Sequence, residues 1–279
     1  MMLSFSTLPC EGWSVEQLIE GCKQHGYSGI ELKIDYGYAI TPDSTEEEVK
    51  AAAARFREAG ITVTNIGSGI LLNGLGEERE ARRSLSRHIR IAELLEAGGI
   101  RIFTGTFFKK ISERNQAHDK ERLIRHIQEA CDEALARGTG VGIWIETHNE
   151  FSTGMQLKPM LEAIHRSNCR IIYDIIHPYE FGEAPADTIR LLGPFIAHVH
   201  MKDGVPFEEA DMHEWKYTRT GDGQLPLAAI VELLKDSGYA GYYSLEWETK
   251  WRPELKELDL ALDSVFADYV QLMSGILAE

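Results

Sequence analysis

Residues 136–150 read ARGTGVGIWIETHNE. A helix stops at Arg137, Gly138 supplies the turn, and an apolar strand, GVGIWIET (residues 140–147), begins almost at once. The strand then turns polar at its C-terminal end, with Glu146 and His148. Three later segments repeat the pattern: RIIYDIIH with Asp174 and His177, IAHVHMKD with His198, His200 and Lys202, and YYSLEWE with Glu246 and Glu248. Strand side chains alternate between faces. Trp144, Glu146 and His148 therefore share a face opposite Ile143 and Ile145. The same parity groups His198, His200 and Lys202, and groups Ser244, Glu246 and Glu248. Four strands that each end in carboxylates or imidazoles describe one site at one end of a sheet, and such a site usually holds a divalent metal.

Outward from these segments, the chain alternates strand and helix throughout. Strands are expected at Leu3–Thr7, Ser28–Ile34, Ile61–Gly67, Gly99–Gly105, residues 140–147, Arg170–Asp174, Phe195–Met201 and Tyr242–Trp247. Helices are expected at Ser14–His25, Ser44–Ala59, Glu77–Glu96, Gln116–Arg137, Gln156–Ser167, Ala184–Leu192, Pro226–Asp236 and Glu254–Leu272. EAGITV, EAGGIRI and DSGYAGYYSL repeat the helix–Gly–strand punctuation of residues 136–150. Alternation alone also fits an open doubly wound sheet. No GxGxxG follows the first strand, which disfavours a dinucleotide fold. With no Gly/Ser/Pro-rich linker, the expectation is one α/β domain over residues 1–279, a single (β/α)8 TIM barrel.

Length and charge agree. The chain has 279 residues, and a barrel of this kind needs about 250. Hydrophobic residues make up 43%, enough for a large core. Asp plus Glu outnumber Lys plus Arg by 44 to 29, a formal charge of −15 that repels phosphate backbones and disfavours nucleic acid as a partner. No apolar run reaches the roughly 18 residues needed to cross a bilayer, and the amino terminus lacks the basic and apolar regions of a signal peptide. Cys10, Cys22, Cys131 and Cys169 are scattered, as reduced thiols of a cytoplasmic protein would be.

Glu146, Asp174, His200 and Glu246 each sit at the C-terminal end of a strand, where barrel enzymes place their chemistry. Gaps of 28 and 26 residues between the first three match single strand–helix units, and the gap of 46 before Glu246 leaves room for a long loop, a candidate lid. Three carboxylates and one imidazole suit one ion of Mn, Mg, Co or Zn. A lone carboxylate would read as a structural ion pair; three carboxylates and an imidazole, all at strand ends, read as a metal site.

In Glu146-Thr-His148, Asp174-Ile-Ile-His177, His200-Met-Lys-Asp203 and the terminal Glu246, the chain resembles the xylose isomerase-like TIM barrel superfamily, specifically its sugar phosphate isomerase/epimerase branch. The resemblance implies that Glu146, Asp174, His200 and Glu246 hold the metal, and that Glu146 and Glu246 form the acid/base pair. These would exchange a proton beside a ketose carbonyl through a metal-stabilised enediolate. It also implies that His177 binds substrate oxygens, with a role as partner of Asp174 as the alternative. Lys202, Arg219 and Glu31 are further candidate contacts to a small sugar or sugar phosphate. Glu31 and Lys33 share the inward parity of their strand, where a buried ion pair competes with substrate binding. Thr220-Gly221-Asp222-Gly223 and Lys109-Lys110 are possible phosphate contacts, although a plain turn and a solvated loop explain them as well. The branch suggests homodimers or homotetramers. The same barrel also supports a dehydratase of an inosose- or dehydroshikimate-like polyol. A nuclease would need additional early histidines, and a non-catalytic sugar binder would not need both glutamates.

Overall fold

A computed structural model describes residues 2–74, 78–107, 119–209, 212 and 214–278. Its strands are β1 (Leu3–Ser6), β2 (Gly29–Lys33), β3 (Thr62–Gly67), β4 (Leu71–Leu72), β5 (Gly99–Thr104), β6 (Gly142–Glu146), β7 (Cys169–Asp174), β8 (Ile196–Met201), β9 (Asp203–Pro206), β10 (Trp215–Thr218) and β11 (Tyr243–Leu245). All but β4, β9 and β10 form a parallel ring in chain order. β11 returns to β1, and a β3–β5 pairing closes the circle. The expected single eight-stranded barrel is the fold.

The helices are α1 (Val15–His25), α2 (Glu46–Glu58), α3 (Arg79–Leu95), α4 (Lys120–Ala136), α5 (Gly154–Ile164), α6 (Ile176–Glu180), α7 (Pro185–Leu192), α8 (Leu227–Asp236), α9 (Pro253–Glu257) and α10 (Leu262–Ala278). Ser14 with Gln17, Thr45 with Glu48, and Thr153 with Gln156 form reciprocal capping boxes, each satisfying two backbone N–H groups at a helix start. This corrects two expected boundaries. The second helix begins at Glu46, capped by Thr45, rather than at Ser44, and the fifth begins at Gly154 because Gln156 is the returning arm of its cap. The expected last helix divides into α9 and α10, with Asp259 at φ 47° in the left-handed region between them. The expected loop after β8 contains the antiparallel pair β9–β10. The starts expected at Glu77 and Gln116 lie outside the described residues, as do Lys109 and Lys110.

Ile143, Ile145, Ile171, Val199, Met201 and Leu245 point outward, buried against the helices. At the N-terminal end of the interior, Trp144 lies across the barrel. A Cβ at Gly99 or Gly142 would come within 2.2 Å of its indole, so glycine is required at both. The His198 ring stacks beside the indole at 6.3 Å between centroids. With that end filled, the polar residues occupy the opposite, C-terminal mouth. All four cysteines are buried and unpaired. Among the described residues no helix is long and apolar enough to cross a membrane.

Candidate metal centre

The ladder sets Asp174 beside His200 and His200 beside Ser244, two residues before Glu246. One ligand atom each from Glu146, Asp174, His200 and Glu246 lies within 4.8 Å of the others, and all four residues are buried. Residues spread over 100 positions of sequence thus meet at one point.

His200 is held from both sides. Its Nε2 donates to Glu31 Oε2 at 2.8 Å, and its Nδ1 lies 3.3 Å from both Glu146 Oε1 and Glu246 Oε2. Ser6 Oγ (3.0 Å) and Asn65 Nδ2 (2.7 Å) also donate to Glu31. A carboxylate behind a histidine fixes which nitrogen faces a metal; here that nitrogen is Nδ1. Burial by itself would lower the basicity of His200, but Glu246 and Glu31 overcome it and raise its pKa well above the ordinary value. Burial would likewise raise Glu31 and Glu246. His200 instead draws both below the usual carboxylate range, with Arg101 adding to the effect at each and Lys202 at Glu246.

Two cations share the cluster. Lys202 Nζ lies 2.7 Å from Asp174 Oδ2, 2.6 Å from Glu246 Oε2 and 2.5 Å from Glu248 Oε1. Arg101 Nη1 lies 2.8 Å from Glu246 Oε1 and 3.3 Å from Glu146 Oε2. Against these two cations and the protonated His200 stand five carboxylates, Glu31, Glu146, Asp174, Glu246 and Glu248. A divalent cation would neutralise the excess negative charge, which is costly to bury otherwise. Glu146 Oε2 and Asp174 Oδ2 are buried without a well-directed hydrogen bond. Burial pushes Asp174 up to about 6, partly opposed by Lys202. Residual buried negative charge and a hard-to-borderline donor set together fit a divalent ion held by Glu146, Asp174, His200 and Glu246.

His177, on α6, is brought to the same place. Its Nδ1 donates to Glu180 Oε2 at 2.8 Å, while Nε2 faces Asp174 Oδ2 at 3.5 Å without a hydrogen bond. Burial, reinforced by Lys202, lowers its pKa to about 3, so the ring is neutral. Its ring lies 4.1 Å from that of His148, which lines the cavity.

Two candidate substrate contacts sit elsewhere. Glu31 is fully buried beneath the cluster, where three donors occupy it, and does not reach the cavity wall. Arg219 points away, held by Asp222 (2.9 Å) and Asp268 (2.8 Å). The glycine turn at Thr220–Gly223 is already filled by a carboxylate. Asp203 accepts from the backbone N–H groups of Gly221, Gly223 and Leu225 at 3.0, 3.0 and 3.1 Å. Asp203 thus serves that turn, and Lys202 pairs with Asp174, Glu246 and Glu248 instead. Arg101, Glu180 and Trp251 were not anticipated. For Arg101 the signal was available: a lone charge inside GIRIFT on β5, buried and directly opposite Trp144 in the ladder.

The cavity above the cluster measures about 590 Å³ and is lined by residues from several barrel loops, Glu146, Lys202 and Glu246 among them. A 3-dehydroshikimate dehydratase of Bacillus anthracis is 21% identical over 250 residues, covering 84% of this chain and 85% of that protein. A fructoselysine 3-epimerase of Shigella flexneri is 23% identical over 252 residues, covering 86% and 87%. The solved IOLI protein with a binding zinc atom superposes with a TM-score of 0.76 at 18% identity, over 98% of this chain and 97% of that one, a likeness of fold. The family model for the xylose isomerase-like TIM barrel matches residues 19–265. The chain therefore belongs to the xylose isomerase-like TIM barrel family.

Proposed function

We propose that the protein is a divalent-metal-dependent isomerase or epimerase of a small ketose or its phosphate. The observation that carries this reading is the meeting of Glu146 and Glu246 at a four-ligand cluster on the floor of the cavity. A divalent cation held there by Glu146, Asp174, His200 and Glu246 would polarise the substrate carbonyl and offset the negative charge that develops as the neighbouring carbon loses its proton. Glu146 Oε2, which faces Arg101 Nη1 at 3.3 Å, would accept that proton. Glu246 lies across the cluster, where Arg101 and Lys202 hold its two oxygens and keep it ionised; it would relay a proton taken from solvent to the substrate carbon, and Glu146 would release the proton it took to solvent. His177 Nε2 and Asp174 Oδ2 are facing acceptors, an arrangement completed by a substrate hydroxyl that donates. Because Asp203 occupies the glycine turn, a phosphorylated substrate would place its phosphate elsewhere.

A dehydratase is the second reading. It is supported by the dehydratase among the relatives and by the shared first step, proton removal beside a carbonyl. Metal-loaded protein incubated with a panel of ketoses and keto-polyols in D2O, followed by NMR, tests both. The expected result is an isomer carrying deuterium at the exchanged carbon. Release of an enone with loss of a hydroxyl would support the second reading. Absence of any exchange by protein shown to contain metal would overturn both.

A further inference from the structure

The cavity has two storeys of different chemistry. Its floor is the charged cluster, suited to a carbonyl and hydroxyls. Above it, Leu8 and Phe103 form a buried apolar wall, and Phe107 and Trp251 stand at the mouth, 57% and 46% exposed. These four side chains come from the loop after β1, from the end of β5 and the residues following it, and from the loop after β11. The rings are organised: Phe103 meets Phe107 edge to face at 5.3 Å, and both meet His148, at 5.1 and 5.5 Å. The Arg101 guanidinium lies 4.7 Å from the centre of the Phe103 ring and so joins the two storeys. The convergence of large aromatic groups on one concave site marks a binding surface. The volume of about 590 Å³ lies well inside the roughly 300–1,000 Å³ range of cavities that enclose drug-sized molecules. A bare six-carbon sugar would leave the upper storey filled with water.

We infer that the substrate is a sugar conjugate: a keto- or hydroxy-sugar seated on the metal cluster that carries an apolar or aromatic substituent held by Leu8, Phe103, Phe107 and Trp251. This rests on the sugar-binding reading of the floor and specifies what the mouth is for. The charged groups around it are arranged for that division. Lys33 pairs with Asp35 at 3.4 Å and Arg252 with Glu214 at 2.6 Å, so these cations on the cavity wall are already matched, while Lys250 Nζ lies 5.6 Å from the centre of the Trp251 ring.

The test uses full-length, metal-loaded protein and three probes in isothermal titration calorimetry: phenyl β-D-glucopyranoside, methyl β-D-glucopyranoside and D-fructose. The phenyl glycoside is expected to bind at least tenfold tighter than the methyl glycoside. In Trp251→Ala and Phe107→Ala that ratio is expected to fall to within twofold of unity, with metal content and circular dichroism unchanged. Equal affinity for the two glycosides in the wild-type protein would overturn the inference. So would sedimentation showing that Trp251→Ala converts an oligomer to a monomer, because the exposed rings would then belong to a subunit contact. Failure of the underlying reading looks different: no bound metal, and no deuterium exchange into any ketose.

Discussion

Glu31 and His200 stand 169 residues apart in the chain and share a hydrogen bond of 2.8 Å. The contact gives His200 its orientation, so in the proposed metal site Glu31 would act on the ion through His200. Replacing it with Gln would put an amide that also donates against His200 Nε2 and loosen the ring. Glu31→Gln is expected to weaken metal binding by about 10–100-fold, measured by equilibrium dialysis, with the fold intact. His200 carries a second expectation. In the metal-free protein its pKa is raised well above 6.5, so at pH 7 it holds a proton that a metal ligand must lose. Metal uptake should therefore release about one proton, and affinity should rise with pH through neutrality. Calorimetry in two buffers of different ionisation enthalpy measures this directly. Uptake without proton release would mean that His200 does not bind the ion.

At the scale of elements, the loops after the strands do most of the positioning. Asp203 links the end of β8 to the start of α8 by accepting from the N–H groups of Gly204, Gly221, Gly223 and Leu225, so one carboxylate replaces water for a whole turn. Asp203→Ala would strand those donors, and stability to urea is expected to fall by about 3 kcal/mol, more than for an exposed carboxylate such as Asp187. The Ser14 cap was legible in the sequence, a strictly local signal, whereas the start of α5 was not, because Gln156, expected as its first residue, is the returning arm of the Thr153 cap. The α9–α10 break was not, because Asp259 adopts a left-handed conformation that its residue type permits but does not require. Nor was the β9–β10 pair, whose bonding joins segments separated by a loop.

For the whole molecule, the charge of the buried cluster couples metal binding to stability. Ligand that binds only the folded state stabilises it by about 2.7 kcal/mol when present at a hundred times its dissociation constant. Treatment with EDTA is expected to lower the melting temperature, and restoring Mn or Zn to recover it, as read by scanning calorimetry. An unchanged melting temperature would show that Arg101 and Lys202 already balance the cluster. The alternation of apolar strands and glycine-ended helices determined an α/β chain; the polar strand ends and the lack of a GxGxxG after the first strand pointed to a barrel and to the end at which its polar residues gather. Period-two alternation and helix punctuation are local properties that survive in any reading of the chain. The strand-end positions of Glu146, Asp174, His200 and Glu246 were visible for the same reason. Only the tertiary structure decided that Glu31 lies under His200, that Arg219 turns away, and that Arg101 enters the cluster. Side-chain parity states which face a residue takes. Its depth along the barrel axis, and hence its partners, depends on strand stagger and on bulges such as those at Ile30/Glu31 and Ile171/Ile172, which no single strand encodes.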